Sequence, residues 1–308
     1  MYLFSLIIPH YNIPELLSRL LITVPKRSDL QIIVVDDNSN KDLEKFEIVK
    51  RKFDYVEWYS TEKNGGGGKA RNLGLKKAKG KYVLFADADD FFFPNFDNLL
   101  DSCKEKDFDI FFFNVTSLNS YSLLPSQRAN HVNDFFNLAK KDELQAILKF
   151  RYLFGEPWCK IIRKEIIDIN NIQFEELLIH NDTLFSYMTG HYAKNIILDP
   201  IAYYCITARE NSVSLQLSER NILIRQEVFA KKHKFLKTNN IPLIDNLFIS
   251  PYFLTNGNPR LLSQLYDVAK SYGISEKEYK HLVTTYIKNS RRKKIKGIFN
   301  KFKHLLDR

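Results

Sequence analysis

Three acids, Asp87, Asp89 and Asp90, close the stretch Tyr82-Val-Leu-Phe-Ala-Asp-Ala-Asp-Asp90. Carboxylates this close repel one another unless something cationic balances them. Hard divalent ions prefer oxygen ligands, and Mg²⁺ characteristically takes one or two protein carboxylates plus phosphate oxygens. A strand ending in D-x-D-D is therefore the pattern of a metal and diphosphate site. An isolated D-x-D is more commonly just an acidic turn, here one leading into Phe91-Phe-Phe-Pro94. The neighbouring motifs decide between the two.

Asp36 and Asp37 directly follow the β-branched run Ile32-Ile-Val-Val35. Paired acids there suit the base or ribose of a nucleotide, and Asp-Asn-Ser suits a helix cap or turn equally well. The loop Lys63-Asn-Gly-Gly-Gly-Gly-Lys-Ala-Arg-Asn72 is glycine-rich and basic. It lets the backbone approach a ligand and offers Arg71 to a phosphate or base. It is not a P-loop, because no Gly lies five residues before Gly68 and Ala70, not Ser or Thr, follows Lys69. Gly65-x-Gly67-x-x-Ala70 loosely fits a dinucleotide fingerprint, with Asp87 twenty residues after Gly67. That loop, however, belongs to the third repeating unit, and ribose binding calls for one carboxylate, not three.

Further along, Asp182 in Phe174-Glu-Glu-Leu-Leu-Ile-His-Asn-Asp-Thr-Leu-Phe185 heads an expected helix, as a cap or as a general base facing a pocket. Glu156-Pro-Trp-Cys-Lys160 offers an aromatic and a cation to a site, although Trp158 by itself reads as core. Arg209, with Ser212 and Ser214, suits a diphosphate or an ordinary loop. His180 and His191 lack metal-ligand spacing.

These residues need a scaffold. Up to about residue 115, short apolar runs alternate with helical ones: strands at Leu3–Ile8, Gln31–Val35, Val56–Tyr59, Tyr82–Ala86 and Phe108–Asn114, and helices at Pro14–Thr23, Asp42–Lys52 and Ala70–Ala78. The alternation predicts an α/β fold with a mostly parallel sheet covered on both faces. Ligands in such sheets bind beyond the carboxyl ends of the strands. Pro9-His-Tyr-Asn12, Asp36-Asp-Asn-Ser39 and Asp87-Ala-Asp-Asp90 should therefore converge on one edge. Residues 116–150 are polar and then helical, and 151–215 are mixed. Beyond 216 the pattern is helical, at Glu219–Lys237, Pro259–Tyr272 and Glu276–Lys288. Asn258-Pro259 reads as a helix start, Gly273 as a stop, and Ser275-x-x-Glu278 as a capping box. The expected division is a catalytic domain over 1–215, a helical extension over 216–287 and a basic tail over 288–308.

Composition bounds the partners. The 308 residues are 44% hydrophobic and 14% aromatic, enough for a substantial core. Cys103, Cys159 and Cys205 are an odd, scattered set, which argues for a reducing compartment and against a disulfide or zinc scaffold. The first apolar run stops at Pro9 without a basic lead, so it reads as a strand and not a signal peptide. No run is long enough to span a bilayer, and a cytoplasmic location is expected. Of the formal charge of +10, residues 288–308 carry +8 and the first 287 only +2. The body is thus not a nucleic-acid-binding surface. In the tail, Ile295, Ile298, Phe299, Phe302, Leu305 and Leu306 recur at helical spacing among lysines and arginines. A basic amphipathic helix of this kind suits an anionic membrane surface.

In order along the chain, these segments resemble the inverting glycosyltransferases of family 2, which have the GT-A fold. The likeness runs from Leu6-Ile-Ile-Pro-His-Tyr-Asn12 through Val34-Val-Asp-Asp-Asn-Ser39. It is densest from Asn64 to Pro94, with Gly-x-x-x-Ala-Arg-Asn-x-Gly, Ala-x-Gly-Lys-Tyr and Asp-x-Asp-Asp in sequence. Weaker matches are Pro157-Trp-Cys-Lys160, Asn181-Asp182 and Arg209-Glu-Asn-Ser-Val-Ser214. The resemblance covers roughly residues 3–215.

It implies that Tyr11, Asp37 and Arg71 contact the uracil of a UDP-sugar, supported by Pro9, Asp36 and Gly67. Asp87, Ala88 and Asp89 would hold the ribose and a Mn²⁺ or Mg²⁺ ion bridging the diphosphate, with Arg209 on the same diphosphate. Asp90, Trp158, Lys160 and Asn181 would line the donor–acceptor pocket, and Asp182 would be the general base. Where the family usually has Glu-Asp, this chain has Asn181-Asp182. The implied activity is transfer of a hexose-type sugar to a glycan or lipid-linked acceptor in bacterial surface polysaccharide synthesis, on the cytoplasmic face of the inner membrane. Two other readings stay open. A nucleotidyltransferase acting on a sugar phosphate would leave the Asp182 and Arg209 motifs without purpose. A basic membrane-binding adaptor would leave the carboxylates unexplained.

Overall fold

The computed structural model describes residues 2–208, 218–241, 255 and 257–294. Arg209, Ser212 and Ser214 lie outside the described residues, as does the tail from 295 onward. The chain divides into two compact units, Met1–Leu215 and Gln216–Arg308.

The first unit opens as three strand–helix repeats: β1 (Phe4–His10), α1 (Pro14–Thr23), β2 (Leu30–Asp36), α2 (Leu43–Lys52), β3 (Glu57–Ser60) and α3 (Gly66–Lys77). There follow β4 (Tyr82–Phe85), β5 (Phe91–Phe92), α4 (Phe96–Lys104), β6 (Ile110–Asn119), α5 (Asn130–Ala139) and α6 (Glu143–Tyr152). The unit continues with β7 (Lys160–Arg163), α7 (Lys164–Ile169), α8 (Thr183–Tyr192) and β8 (Ile196–Ala208). The strands form one eight-stranded sheet in the order β3-β2-β1-β4-β7-β6-β8-β5. β1 through β4 are mutually parallel, β7 runs antiparallel to both β4 and β6, and β6 and β8 are again parallel. The result is a mixed, mostly parallel α/β sheet flanked by helices.

Every residue of β2 is buried, as are all four of β4. A strand covered on both faces has no solvent side to alternate with, so it is written as an unbroken apolar run. α1 matches its expected bounds, with Pro14 in its first turn and Leu17, Leu20 and Leu21 buried against the sheet. α3 starts four residues earlier than expected, inside the glycine run. Glycine is a poor helix former, but here Asp37 takes hydrogen bonds from the amides of Gly65 and Gly66. The cap comes from a neighbouring strand end, where no local pattern would show it.

The second unit holds α9 (Glu219–Thr238), α10 (Pro259–Ser271) and α11 (Glu276–Lys294). Ser218 and Asn258 cap the first two of these through their side chains, and Gly273 turns at φ +85°. Ser275 Oγ accepts from the amide of Glu278 at 3.2 Å. Phe229, Ala230, Ala269 and Ile274 form one apolar cluster, and Ile222, Leu261 and Leu265 another. Glu278 ties α11 to α9 through His233 at 3.0 Å and Lys237 at 2.9 Å. Among the described residues, no helix is long and apolar enough to cross a membrane.

Candidate active site

The registers of β1, β2 and β4 run in step, with His10 opposite Asp36 and Ile7 opposite both Ile33 and Phe85. Being parallel, the three strands end at one edge and deliver Pro9–Asn12, Asp36–Ser39 and Asp87–Asp90 there together. Asn12 and Asn38 take positive φ values of 56° and 59°, a region asparagine tolerates better than most residues. The turns are tied to each other, since Asn40 donates its amide to Asn12 Oδ1 at 2.9 Å and Asn12 donates its own to Ser39 Oγ at 2.8 Å. Tyr11 stands out from this edge, 42% exposed.

Asp36 and Asp37 both face inward. Asp36 meets His10 Nδ1 at 2.8 Å and accepts from the Ser39 hydroxyl and amide. Against the effect of burial, those bonds hold its carboxyl below the usual range. The Ile13 amide donates to His10 Nε2 at 3.3 Å, which leaves the N–H on Nδ1 to donate a hydrogen bond to the Asp36 carboxylate. His10 also stacks on Phe46 at 4.5 Å. Asp37 is fully engaged, taking bonds from Thr61 Oγ1 and from Gly65 and Gly66. In this structure it shapes the glycine turn.

The carboxylates of Asp87, Asp89 and Asp90 lie within 4.8 Å of one another. They are not equivalent. Asp90 is completely buried, with Tyr204 Oη donating to it at 2.8 Å and the Thr207 amide at 2.6 Å. Burial, then the Asp89 and Asp87 charges, push its carboxyl well above the normal range. Tyr204 Oη also accepts from the Asp87 amide at 2.9 Å, and Thr207 Oγ1 donates to the Asp89 carbonyl at 2.8 Å. Arg19 donates to that same carbonyl. Arg128 donates to the carbonyl of Thr207, and its charge acts on all three acids. Hard oxygen donors in such a cluster fit Mg²⁺ or Mn²⁺. Within the cluster Asp90 is held by β8 and Asp87 is paired with Arg71, so the three acids are bound into the fold to different degrees.

Arg71, on α3, donates to Asp87 at 2.6 Å and to Asn181 Oδ1 at 3.1 Å. It therefore links the acid cluster to the turn that carries Asp182. Asp182 occupies the N-cap position of α8 without making a side-chain cap bond. It is partly accessible yet densely surrounded by protein, and this desolvation raises its carboxyl to about 6, against the pull of Arg71 and with help from Glu156 and Asp87. Nearby, Lys160 is buried, its ammonium 4.7 Å over the Phe154 ring, and burial lowers it to about 7, with Glu156 and Asp182 opposing. Trp158 is packed against Phe154 and His131, in keeping with a core residue. Gly67 lies over Arg71, where a Cβ would sit 3.0 Å from the guanidinium, and Ala88 is buried within the acid turn.

Several residues that build this site carried no sequence signal: Thr61, Tyr204, Thr207, Arg19 and Arg128. Each acts through long-range bonds from segments with no recognisable motif.

The family model for Glycosyl transferase family 2 matches residues 5–169, slightly over half of the chain. The poly(ribitol-phosphate) beta-N-acetylglucosaminyltransferase TarS of Staphylococcus aureus is 30% identical over 217 residues, which are 67% of this chain and 36% of that protein. The corresponding TarP of S. aureus is 27% identical over 223 residues, 70% of this chain and 65% of TarP. The chain thus spans less than two thirds of either relative. Among solved structures, S. aureus TarS 1–349 in complex with UDP superposes with a TM-score of 0.62 at 21% identity, over 94% of this chain and 89% of that one. The same protein in complex with UDP-GlcNAc gives 0.58 at 21%, over 92% and 79%. These superpositions establish the shared GT-A architecture. By its matching family model, and with D-x-D-D at the edge of a GT-A sheet, this chain belongs to glycosyl transferase family 2.

Proposed function

We propose that the protein is a metal-dependent inverting glycosyltransferase that moves a hexose-type sugar from a UDP-sugar to a glycan or lipid-linked acceptor in surface polysaccharide synthesis. The observation that carries this reading is the Arg71 bridge. It brings a pair of metal-fitting acids and a carboxyl of pKa about 6 into one site.

In this reading, Pro9, Tyr11, Asp36, Asp37 and Gly67 form the uridine end, with exposed Tyr11 as the surface for the base. Asp87 and Asp89 hold Mn²⁺ or Mg²⁺, flanked by Ala88, and Arg209 completes the diphosphate side. A bound divalent ion supplies positive charge to the departing diphosphate. Asp182 removes a proton from the acceptor hydroxyl as that oxygen attacks the anomeric carbon from the face opposite UDP. A carboxyl raised to about 6 is ionised at neutral pH and basic enough to take that proton. One displacement inverts the configuration, so an α-linked donor yields a β-glycoside. Asp90, Trp158, Lys160 and Asn181 support the pocket around the reacting sugar. Residues 288–308 dock the enzyme on an anionic membrane, where a lipid-linked acceptor would reside.

The TarS complex makes UDP-GlcNAc the first donor to try. UDP release from a panel of UDP-sugars, with and without Mn²⁺, tests the reading in wild type and Asp89→Ala. Metal-stimulated release from one donor, lost in the variant, is expected. No release from any donor, together with no UDP binding by calorimetry, would overturn it.

A further inference from the structure

The turn that carries Asp182 has almost no regular structure of its own. Residues 172–182 belong to neither helix nor strand, and His180 sits at φ +55°. Backbone groups in such a segment need partners from elsewhere. The turn closes on itself through the Glu175 amide to Asn181 carbonyl bond at 3.0 Å and Asn181 Nδ2 to Leu177 carbonyl at 3.2 Å. Its entry point, Phe174, is held differently. Asn72 Nδ2 donates to the Phe174 carbonyl at 2.9 Å, and the Phe174 amide donates to Asn72 Oδ1 at 2.8 Å. A side-chain amide has the donor and acceptor of a peptide group, so Asn72 pairs with Phe174 as a neighbouring strand would.

Asn72 lies on α3, one residue after Arg71 and within a helix that begins at the glycine turn. The same helix face presses on the segment at Gly68, where a Cβ would stand 2.0 Å from the Glu175 carbonyl and 3.0 Å from Asn181 Cβ. Phe174 then stacks on Phe185 of α8 at 3.8 Å. The segment is clamped at its start by Asn72, braced in its middle by Gly68 and Arg71, and anchored beyond Asp182 by the Phe174–Phe185 stack. Asparagine is unremarkable as a helix former, so propensity gives no reason for it at this position.

We infer that Asn72 is a positioning residue that sets Asp182 against the donor by pairing with both backbone groups of Phe174. This rests on the assignment of Asp182 as base made above. Small displacements at a reacting centre can cost about 100-fold in rate, so loss of the clamp acts on turnover and not on nucleotide affinity.

The test compares wild type, Asn72→Ala and Asn72→Asp in three measurements: UDP affinity by calorimetry, turnover in UDP release from UDP-GlcNAc, and amide hydrogen exchange across 172–182. For Asn72→Ala, UDP affinity should stay within about twofold while turnover falls about 10- to 100-fold and exchange over the segment rises at least tenfold. Asn72→Asp keeps the acceptor for the Phe174 amide and should fall between the two; it carries the test alone if Asn72→Ala does not fold. Unchanged exchange over 172–182, or UDP affinity falling in parallel with turnover, would overturn the inference. Should wild type bind no UDP at all, the donor assignment fails, and the exchange comparison still decides the clamp.

Discussion

Asp87 and Asn181 share one guanidinium: Arg71 gives one terminal nitrogen to each, at 2.6 and 3.1 Å. The acid cluster and the residue preceding Asp182 are thereby locked to a single side chain. With a neutral Asn at 181, the charge of Arg71 is shared between Asp87 and the field felt by Asp182.

Asn181→Glu restores the acidic neighbour usual in the family and changes that balance. The new carboxylate pairs with Arg71 and places a negative charge beside Asp182. Nearby negative charge raises a carboxyl pKa, so the acidic limb of the pH–rate profile should move upward from about 6. An unchanged or lowered midpoint in the variant would contradict this electrostatic account.

Turnover should rise as pH climbs through about 6, because the base must be ionised. Asp182→Asn should abolish transfer while leaving UDP affinity within a few-fold. Stability should move the other way. The folded carboxyl is raised above its unfolded value of 3.8, so its contribution is full below 3.8 and is lost as pH rises through about 6. At pH 8 the ionised group destabilises the fold by about 1–2 kcal/mol after discounting for its partial exposure. Asp182→Asn should therefore raise Tm by a few degrees at pH 8 and leave it nearly unchanged at pH 4, measured by calorimetry. A lower Tm at pH 8 would show that Asp182 makes a stabilising contact when charged.

Tyr204→Phe removes one hydroxyl that accepts from the Asp87 amide and donates to Asp90. Two buried partners lose a bond, so a loss of about 1–3 kcal/mol is expected. Metal activation should also require more Mn²⁺, because the acid turn loses its anchor. A stable variant with unaltered Mn²⁺ dependence would mean that the turn is held by Thr207 and Arg19 alone.

Deleting residues 288–308 removes +8 of charge. Binding to vesicles containing anionic phosphatidylserine should drop to background, while UDP release by the soluble enzyme persists. Equal vesicle binding by the full and shortened chains would remove the tail from the membrane proposal.

Much of this architecture was legible because the relevant signals are local. β2 and β4 are buried on both faces and so appear as unbroken apolar runs, and the caps at Asn258 and Ser275 lie beside the helices they start. Asp87 and Asp89 drew notice at the end of an apolar run and Asp182 at a helix start, and their expected roles came from the family resemblance. What the sequence hid depends on distant partners. The early start of α3 relies on Asp37, and the inward aim of Asp36 relies on His10. The unequal standing of Asp90 relies on Tyr204 and Thr207, more than a hundred residues away. No period or spacing encodes those pairings.

The placement of Tyr204 and Thr207 has one more consequence. The family model ends at residue 169, but Tyr204 and Thr207, which help to steady the acid turn, lie on β8, beyond that limit. A chimera built by swapping residues 5–169 alone would carry Asp87, Asp89 and Asp90 and still place them against a foreign β8 strand. A graft meant to keep the acid turn in place should therefore carry β8 with it, which makes the turn and that strand one inherited unit.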